Sequence, residues 1–541
     1  MRHSHALSPQ SPASAHSVRP RAAGMFALTR LLGVVCVALL VLAGCGSSGG
    51  SSSGGPKIGG SLTVGLDSDV VTLDPLLSSA LVDREVMLNM YDTLVRVDEK
   101  NTVQPDLATT WTTSADGKQV TFTLRSGVKF QDGTPFNAAA VVTNIQRILT
   151  TLSSPRHGEL ATVDSVSATD DTHVVFNLKQ PFAPLLLTLT DRAGMMLSPA
   201  VIQSAGTNLA NAPAGAGTGP FMFDSWVKGD HLTIKRNPNY WQKDSAGRAL
   251  PYLNSVTYKP ITDESVMFTN LQTGTIQMAQ DVDPKDIPAI KSNPNLTYKR
   301  LPGLSFFGFE LNTKAAPLDD MHVRRAIAFA VNRTEILHSV LQDVGVVAQG
   351  PLSPSSWAFN PTANYFSTDV NQAKSELAQS SSPNGVSFDL LVTSGSPLNA
   401  QEAQFIQSEL SPANIKVNIK TETFATILSD TAAHNYQAAL IGWSGRPDPD
   451  GNTYNWFHTG GGFNDMQYSN PQVDTLLEDA RAQSDQSKRA QDYVQAEQLI
   501  AQDAPYIFIN HGVAAQISSA KVQGFVVLPT TIMILKQVYL S

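Results

Sequence analysis

The sequence predicts a mixed α/β protein without internal repeats, and two periodicities carry the prediction. Apolar residues alternate with polar ones at Val120-Thr-Phe122-Thr-Leu124, at Val174, Phe176 and Leu178, and at Ile415, Val417 and Ile419. That is the period of half-buried strands. Apolar residues recur at helical spacing at Val323, Ala326, Ile327, Ala330 and Val331, and again at Val473, Leu476, Leu477 and Ala480. Asn470-Pro471 supplies the second of these with an N-cap and a first-turn proline. Both stripes read as core faces rather than cofactor boxes. Asp170-Asp171 between two alternating runs suggests a hairpin, while Asp116-Gly117 and Asp132-Gly133 mark turns. No long low-complexity segment interrupts 57–541.

Taken from the start, residues 1–44 contain Arg2, Arg19, Arg21 and Arg30, no acidic residue, and the apolar run Leu31 to Leu42. This is the layout of a secretory signal peptide; a spanning helix needs roughly 20 apolar residues. A shorter signal of ordinary layout begins at Met25. The run closes on Leu42-Ala43-Gly44-Cys45, which resembles the bacterial lipobox, in which the cysteine thiol receives a diacylglycerol and the chain is cut just before it. Two or three acyl chains on Cys45 would satisfy the need for more than one chain in a stable anchor. Segment 45–56, rich in Gly and Ser, reads as a lipid-anchored linker with a reach of roughly 5–6 Å × √n.

Composition bounds the mature chain. Without the four arginines of 1–44, 34 of the 38 lysines and arginines face 46 acidic residues, a formal charge of −12. Nucleic acid is a poor partner for such a surface. Cys36 falls within the signal, leaving Cys45 alone, so neither a disulfide framework nor a thiolate metal site is expected.

Catalytic motifs are missing. No HExxH or GxSxG occurs, and the eleven histidines are scattered. Gly215-Ala-Gly217-Thr-Gly219-Pro-Phe221 lacks the Lys-Ser/Thr of a P-loop and runs into proline, so it reads as a backbone turn. Neither an enzyme nor a cofactor is expected.

An ordered series of motifs then extends over nearly the whole mature chain. It comprises Asp67 to Val97, with Leu73-Asp74-Pro75 leading to a helix ending in Tyr91-x-x-Leu94, and Pro105 to Ala138, with Trp111, an Asp-Gly turn, an alternating strand and Pro135-Phe136. Gly217-Thr-Gly-Pro-Phe221, Arg236-Asn-Pro-Asn-Tyr-Trp241 and Pro251-Tyr-Leu253 follow, then Val323-Arg-Arg-Ala-Ile327, Asn332-Arg333, Gly442-Trp443 and Asp503-Ala-Pro505. From about Gly60 onward the chain resembles the extracytoplasmic solute-binding proteins of family 5, the peptide-, nickel- and opine-binding proteins of ABC importers. One departure is Ala140, where the family often has an aspartate at the start of a helix.

The resemblance implies a two-lobed, periplasmic-binding-protein-like α/β fold with an extra inserted domain and a hinge. Lobe one would combine 57–95, 216–311 and 516–541, with 96–215 inserted in it, and lobe two would be 312–515. It implies a monomer that encloses a small solute, above all a di- or oligopeptide, and presents it to the importer's permease subunits. Nickel chelates, opines and oligosaccharides are the alternatives; an extracytoplasmic peptidase or a signalling lipoprotein is a more distant one. In peptide-binding relatives the loop matching Gly442 to Asp450 carries an aspartate for the ligand's α-ammonium, a charge-assisted hydrogen bond to a feature every peptide shares. Asp448 and Asp450 are the candidates. Arg446 either clamps a ligand carboxylate or pairs internally with one of these acids. Trp443 and Trp357 are candidate stacking residues, each also suited to core packing. Ser305 and Phe307, at the expected change of lobe, offer backbone to an extended peptide, with the phenylalanine rings of this stretch read as core rather than contact, and Ser79 lies where relatives approach the ligand. No metal site is expected, since His434, His458 and His511, the histidines near the cleft, show no paired spacing.

Overall fold

The computed structural model describes residues 55–541, so the signal peptide, Cys45 and most of the linker lie outside the described residues. Three sheets organise the rest. The first has seven strands, in the order Leu296–Pro302, Val513–Ser519, Met278–Ala279, Ser61–Leu66, Ser255–Pro260, His231–Arg236 and Phe221–Val227. Ser61–Leu66 is at its centre, parallel to both neighbours. Its residues from Leu62 to Leu66 are almost wholly buried, as central parallel strands are when both faces are covered.

The second sheet has six strands, in the order Val346–Val347, Tyr506–His511, Phe307–Leu311, Ala438–Leu440, Val386–Thr393 and Ile415–Glu422. Helices Met321–Ala330 and Pro397–Leu410 contribute Val323, Ile327, Ile406 and Leu410 to the core beneath it. Each helix begins on a side chain that accepts from its first turn, Asp320 from the His322 amide and Ser396 from the Asn399 amide. The third sheet is antiparallel, Ala108–Thr113, Gln119–Leu124, His173–Leu178 and Val163–Ala168, and it packs on helix Ala138–Thr150.

Most local expectations hold, but the helix expected to end in Tyr91-x-x-Leu94 is Leu81–Met87, with Tyr91 to Leu94 in the non-helical segment after it. The three alternating runs are strands, both apolar stripes are helices, and Asp170 closes a hairpin by accepting from the Thr172 and His173 amides at 2.7 and 2.9 Å. At the position of the family's aspartate, Ala140 is buried, and its amide donates to the true cap, Asn137.

Two antiparallel stretches carry the chain between the large sheets. Pro302 pairs with Val513 in the first sheet and Phe307 with Asn510 in the second, so the changes occur at 303–306 and at Gly512. They fall a few residues before the expected 311/312 and 515/516, because Phe307–Leu311 already pairs in the six-stranded sheet and all of Val513–Ser519 pairs in the seven-stranded one. Between the two stretches His511 Nδ1 lies 2.9 Å from the Ser305 carbonyl oxygen, and burial pulls the imidazole down to about 4.

Candidate functional site: the cavity between the two large sheets

A cavity of about 1070 Å³ lies between the large sheets, walled by residues of both. The two sides touch around it. Glu264, in the first turn of helix Glu264–Thr273 on the seven-stranded side, accepts from the Ser396 hydroxyl, and its other oxygen is 3.5 Å from the Leu398 amide. The carboxylate thus sits at the N-terminus of helix Pro397–Leu410 across the gap, where free N–H groups favour negative charge. Close approach there depends on Gly395, at φ +84°, since a Cβ would lie 2.6 Å from Thr262 Oγ1. Phe424 and Leu428, on helix Phe424–Ala432 of the six-stranded side, pack on the core of the seven-stranded one. In this conformation the two lobes are closed on each other.

The sequence-derived candidates divide in two. Trp443, Phe307 and Ser79 line the cavity. The Trp443 backbone pairs with Phe306, extending the register of Phe309 and Leu440. Its indole Nε1 donates to Asn452 Oδ1 at 3.0 Å, and its ring packs against Trp456 and Phe463 at 5.6 and 5.0 Å. Phe307 is 42% exposed, large for an aromatic ring at the centre of a fold. Its ring lies over Gly442, where a Cβ would clash at 2.2 Å.

Arg446, Asp448, Asp450, Ser305 and Trp357 are not among the lining residues. Asp448 is held by Arg489 Nη2 at 2.6 Å, and Asp450 by Arg481 in a two-pronged pair at 2.7 and 3.0 Å. All four side chains are buried. The alternative of an internal pair between Arg446 and Asp448 or Asp450 is therefore not realised, both acids being taken by other arginines. Instead, Arg446 Nε meets Asp191 Oδ2 at 3.0 Å, and its guanidinium lies 4.1 Å over the Trp443 ring. Burial alone would raise Asp191, but Arg446, Arg84 and Arg192 outweigh it and hold the carboxyl well below the usual range. Asn452 fixes the loop by accepting from the Arg446 amide at 2.7 Å and donating to its carbonyl at 2.8 Å. Ser305 is buried in the crossover, and Trp357 packs on Tyr493 and Arg489 instead of the cavity.

The charged groups that face the cavity are others. Asp67, Glu264 and Asp281 stand on the seven-stranded side, Glu310, Glu402 and Asp465 on the six-stranded side, with Lys314 and His434 as the basic lining residues. Asp67 and Asp281 are exposed residues on the cavity wall. Desolvation pushes Asp281 up to about 7 against the pull of the Val282 amide, with Asp67 and Glu264 adding to the rise. Burial also drives Glu402 to about 7 and, with Asp465 beside it, raises Glu310 well above the carboxylate range.

Two of these acids left a trace in the sequence. Glu310 interrupts the apolar strand Phe307–Leu311, and Glu402 occupies the buried stripe of Ala403, Ile406 and Leu410. The partners Asp191, Arg481 and Arg489 are far from the loop in sequence and gave no local signal. His434, His458 and His511 stay apart, held by the Asp465 carbonyl, Glu478 and the Ser305 carbonyl respectively. Among the described residues no group of three or more His, Cys, Asp or Glu is arranged to hold a metal.

Comparison with known proteins agrees with this architecture. Residues 102–464 match the model for bacterial extracellular solute-binding proteins, family 5. The chain is 31% identical to the probable D,D-dipeptide-binding periplasmic protein DdpA of Escherichia coli (strain K12), over 86% of this chain and 92% of that protein. The oligopeptide-binding protein AppA of Bacillus subtilis, solved with a nonapeptide, superimposes with a TM-score of 0.83 at 26% identity, covering 90% of this chain and 100% of AppA. AgaA of A. tumefaciens R10, solved with agropinic acid, gives 0.82 at 27% identity, covering 89% of this chain and 99% of AgaA. The chain belongs to the bacterial extracellular solute-binding proteins, family 5, and is a binding protein, not an enzyme.

Proposed function

We propose that this chain is a lipoprotein, cut before Cys45 and anchored there to the outer face of the cell membrane, that encloses a di- or oligopeptide between its lobes and delivers it as a monomer to an ABC importer. The observation that carries the reading is the cavity of about 1070 Å³ between the lobes, with carboxylates on both walls. Ligand pockets commonly hold about 300–1,000 Å³, so this volume leaves room for several residues. An α-ammonium, common to all peptides, would find charge-assisted partners among these acids. Trp443, Phe307 and Ser79 would contact the ligand, while Arg446, Asp448 and Asp450 would brace the loop behind them. Lobe closure would read out occupancy, since a ligand shifts a conformational equilibrium only by its preference for one state.

An acidic opine, the second reading, draws support from AgaA but would bring negative charge to a wall already rich in it. Among the described residues no helix is long and apolar enough to cross a membrane, which leaves attachment to the segment around Cys45.

Thermal unfolding of residues 57–541 against di-, tri- and longer peptides, opines, oligosaccharides and nickel tests the proposal. A ligand at 100 times its Kd adds about 2.7 kcal/mol. A rise in Tm with peptides alone supports the reading; a rise with opines or nickel alone replaces it.

A further inference from the structure

The cavity is more acidic than one α-ammonium requires. None of Asp67, Glu264, Asp281, Glu310, Glu402 or Asp465 forms an ion pair among the described residues. In the loop behind the cavity, by contrast, Asp448 and Asp450 are each matched to an arginine. Glu310 and Glu402 are the informative pair. They are 1% and 8% exposed and line the cavity from strand Phe307–Leu311 and helix Pro397–Leu410; Glu402 Oε1 has no hydrogen-bond partner among the described residues, and Glu310 has the Tyr436 hydroxyl beside it as its one neighbouring side-chain donor.

A buried acceptor without a partner carries its full desolvation penalty. Nothing in the packing of an apolar strand or helix face calls for a carboxyl there. A ligand cation entering the cavity would supply the missing donors and charge, and would turn that penalty into a preference. These two acids stand on the six-stranded side, whereas Asp67, Glu264 and Asp281 stand on the other. Asp67 and Asp281 on one wall and Glu310 and Glu402 on the other thus present carboxyls to more than one positive group, while Glu264 is engaged across the gap with Ser396 and Leu398.

We propose that the solute carries a cationic side chain in addition to its α-ammonium, as a lysine- or arginine-containing peptide does, and that the side chain seats against Glu310 and Glu402 while the ammonium meets the Asp67–Asp281 wall. This rests on the peptide reading above and adds the class of peptide.

Calorimetric titration of the purified mature chain with three matched tripeptides, Ala-Lys-Ala, Ala-Gln-Ala and Ala-Glu-Ala, tests it. Ala-Lys-Ala is expected to bind at least about tenfold tighter than Ala-Gln-Ala, with Ala-Glu-Ala weakest. In Glu310→Gln and Glu402→Gln, both nearly isosteric, the ratio of Lys to Gln affinities is expected to fall toward one, with folding checked by Tm. Equal affinity for Ala-Lys-Ala and Ala-Gln-Ala overturns this inference and leaves the peptide reading intact, as does a wild-type ratio retained in both variants. If neither these tripeptides nor dipeptides and longer peptides carrying the same Lys, Gln and Glu exchange bind, the peptide reading fails. Putrescine against 1,4-butanediol then tests the cation preference alone: selective binding of the diamine upholds it, and binding of neither overturns it.

Discussion

The loop 442–450 and the cavity wall are both rich in carboxylates, yet they treat them in opposite ways. Behind the loop, Asp448 and Asp450 are buried against Arg489 and Arg481 at 2.6 and 2.7 Å. Along the cavity, Asp67, Asp281, Glu310 and Glu402 line the open space, and none has an ion-pair partner among the described residues. An acid becomes available to a ligand by lacking a protein partner, wherever it falls relative to a recognisable motif. The loop acids serve as struts, and the unpaired acids of the wall are the ones left for recognition.

The strongest way to break this comparison is to take away a strut. Arg481→Met removes the guanidinium that lies over the Phe182 and Tyr454 rings and leaves Asp450 buried and uncompensated. Breaking such a pair from one side costs about 3–5 kcal/mol. We expect a large fall in Tm, and a Tm within a degree of wild type would show that Asp450 needs no partner.

The wall should respond with the opposite sign. Burial raises Glu402 from its ordinary value to about 7, so the folded state holds a proton that the unfolded state has released. Stability from this group is complete below the unfolded value near 4.5 and is lost as pH rises toward 7. Glu402→Gln should therefore raise Tm more at pH 8 than at pH 5, by an amount equivalent to about 1 kcal/mol or more. An equal effect at both values would mean that Glu402 is not strained by its site.

Arg446→Ala sharpens the boundary between the two regions. Asp191 retains Arg84 at 2.7 Å when Arg446 is removed, so the loss is that of one charged hydrogen bond, about 1.5–3 kcal/mol. Tm should fall while peptide affinity changes less than tenfold. A larger loss of affinity with Tm preserved would restore Arg446 to ligand contact.

The sequence made some of this legible and hid the rest for identifiable reasons. Strand Gln119–Leu124 and helix Pro471–Ala482 are written locally, in period-two alternation and in an Asn-Pro start. The family motifs located the loop after Gly442, and Trp443 does reach the cavity. The roles of its charged residues were hidden because their partners lie elsewhere in the chain: Asp191 near the third sheet, Arg481 and Arg489 on helices that follow the loop. Glu310 and Glu402 could have been found by asking why a carboxylate interrupts an apolar stripe.

The paired crossing at 303–306 and Gly512 has a mechanical consequence. Two chain segments lying side by side, bridged by the contact between Ser305 and His511, form a narrow ribbon rather than a pair of loose strings. A ribbon bends readily across its flat face and resists shear and sideways swing, so the lobes are steered along one path between open and closed. The direction of closure is thus built into the crossover itself, independent of what lies between the lobes.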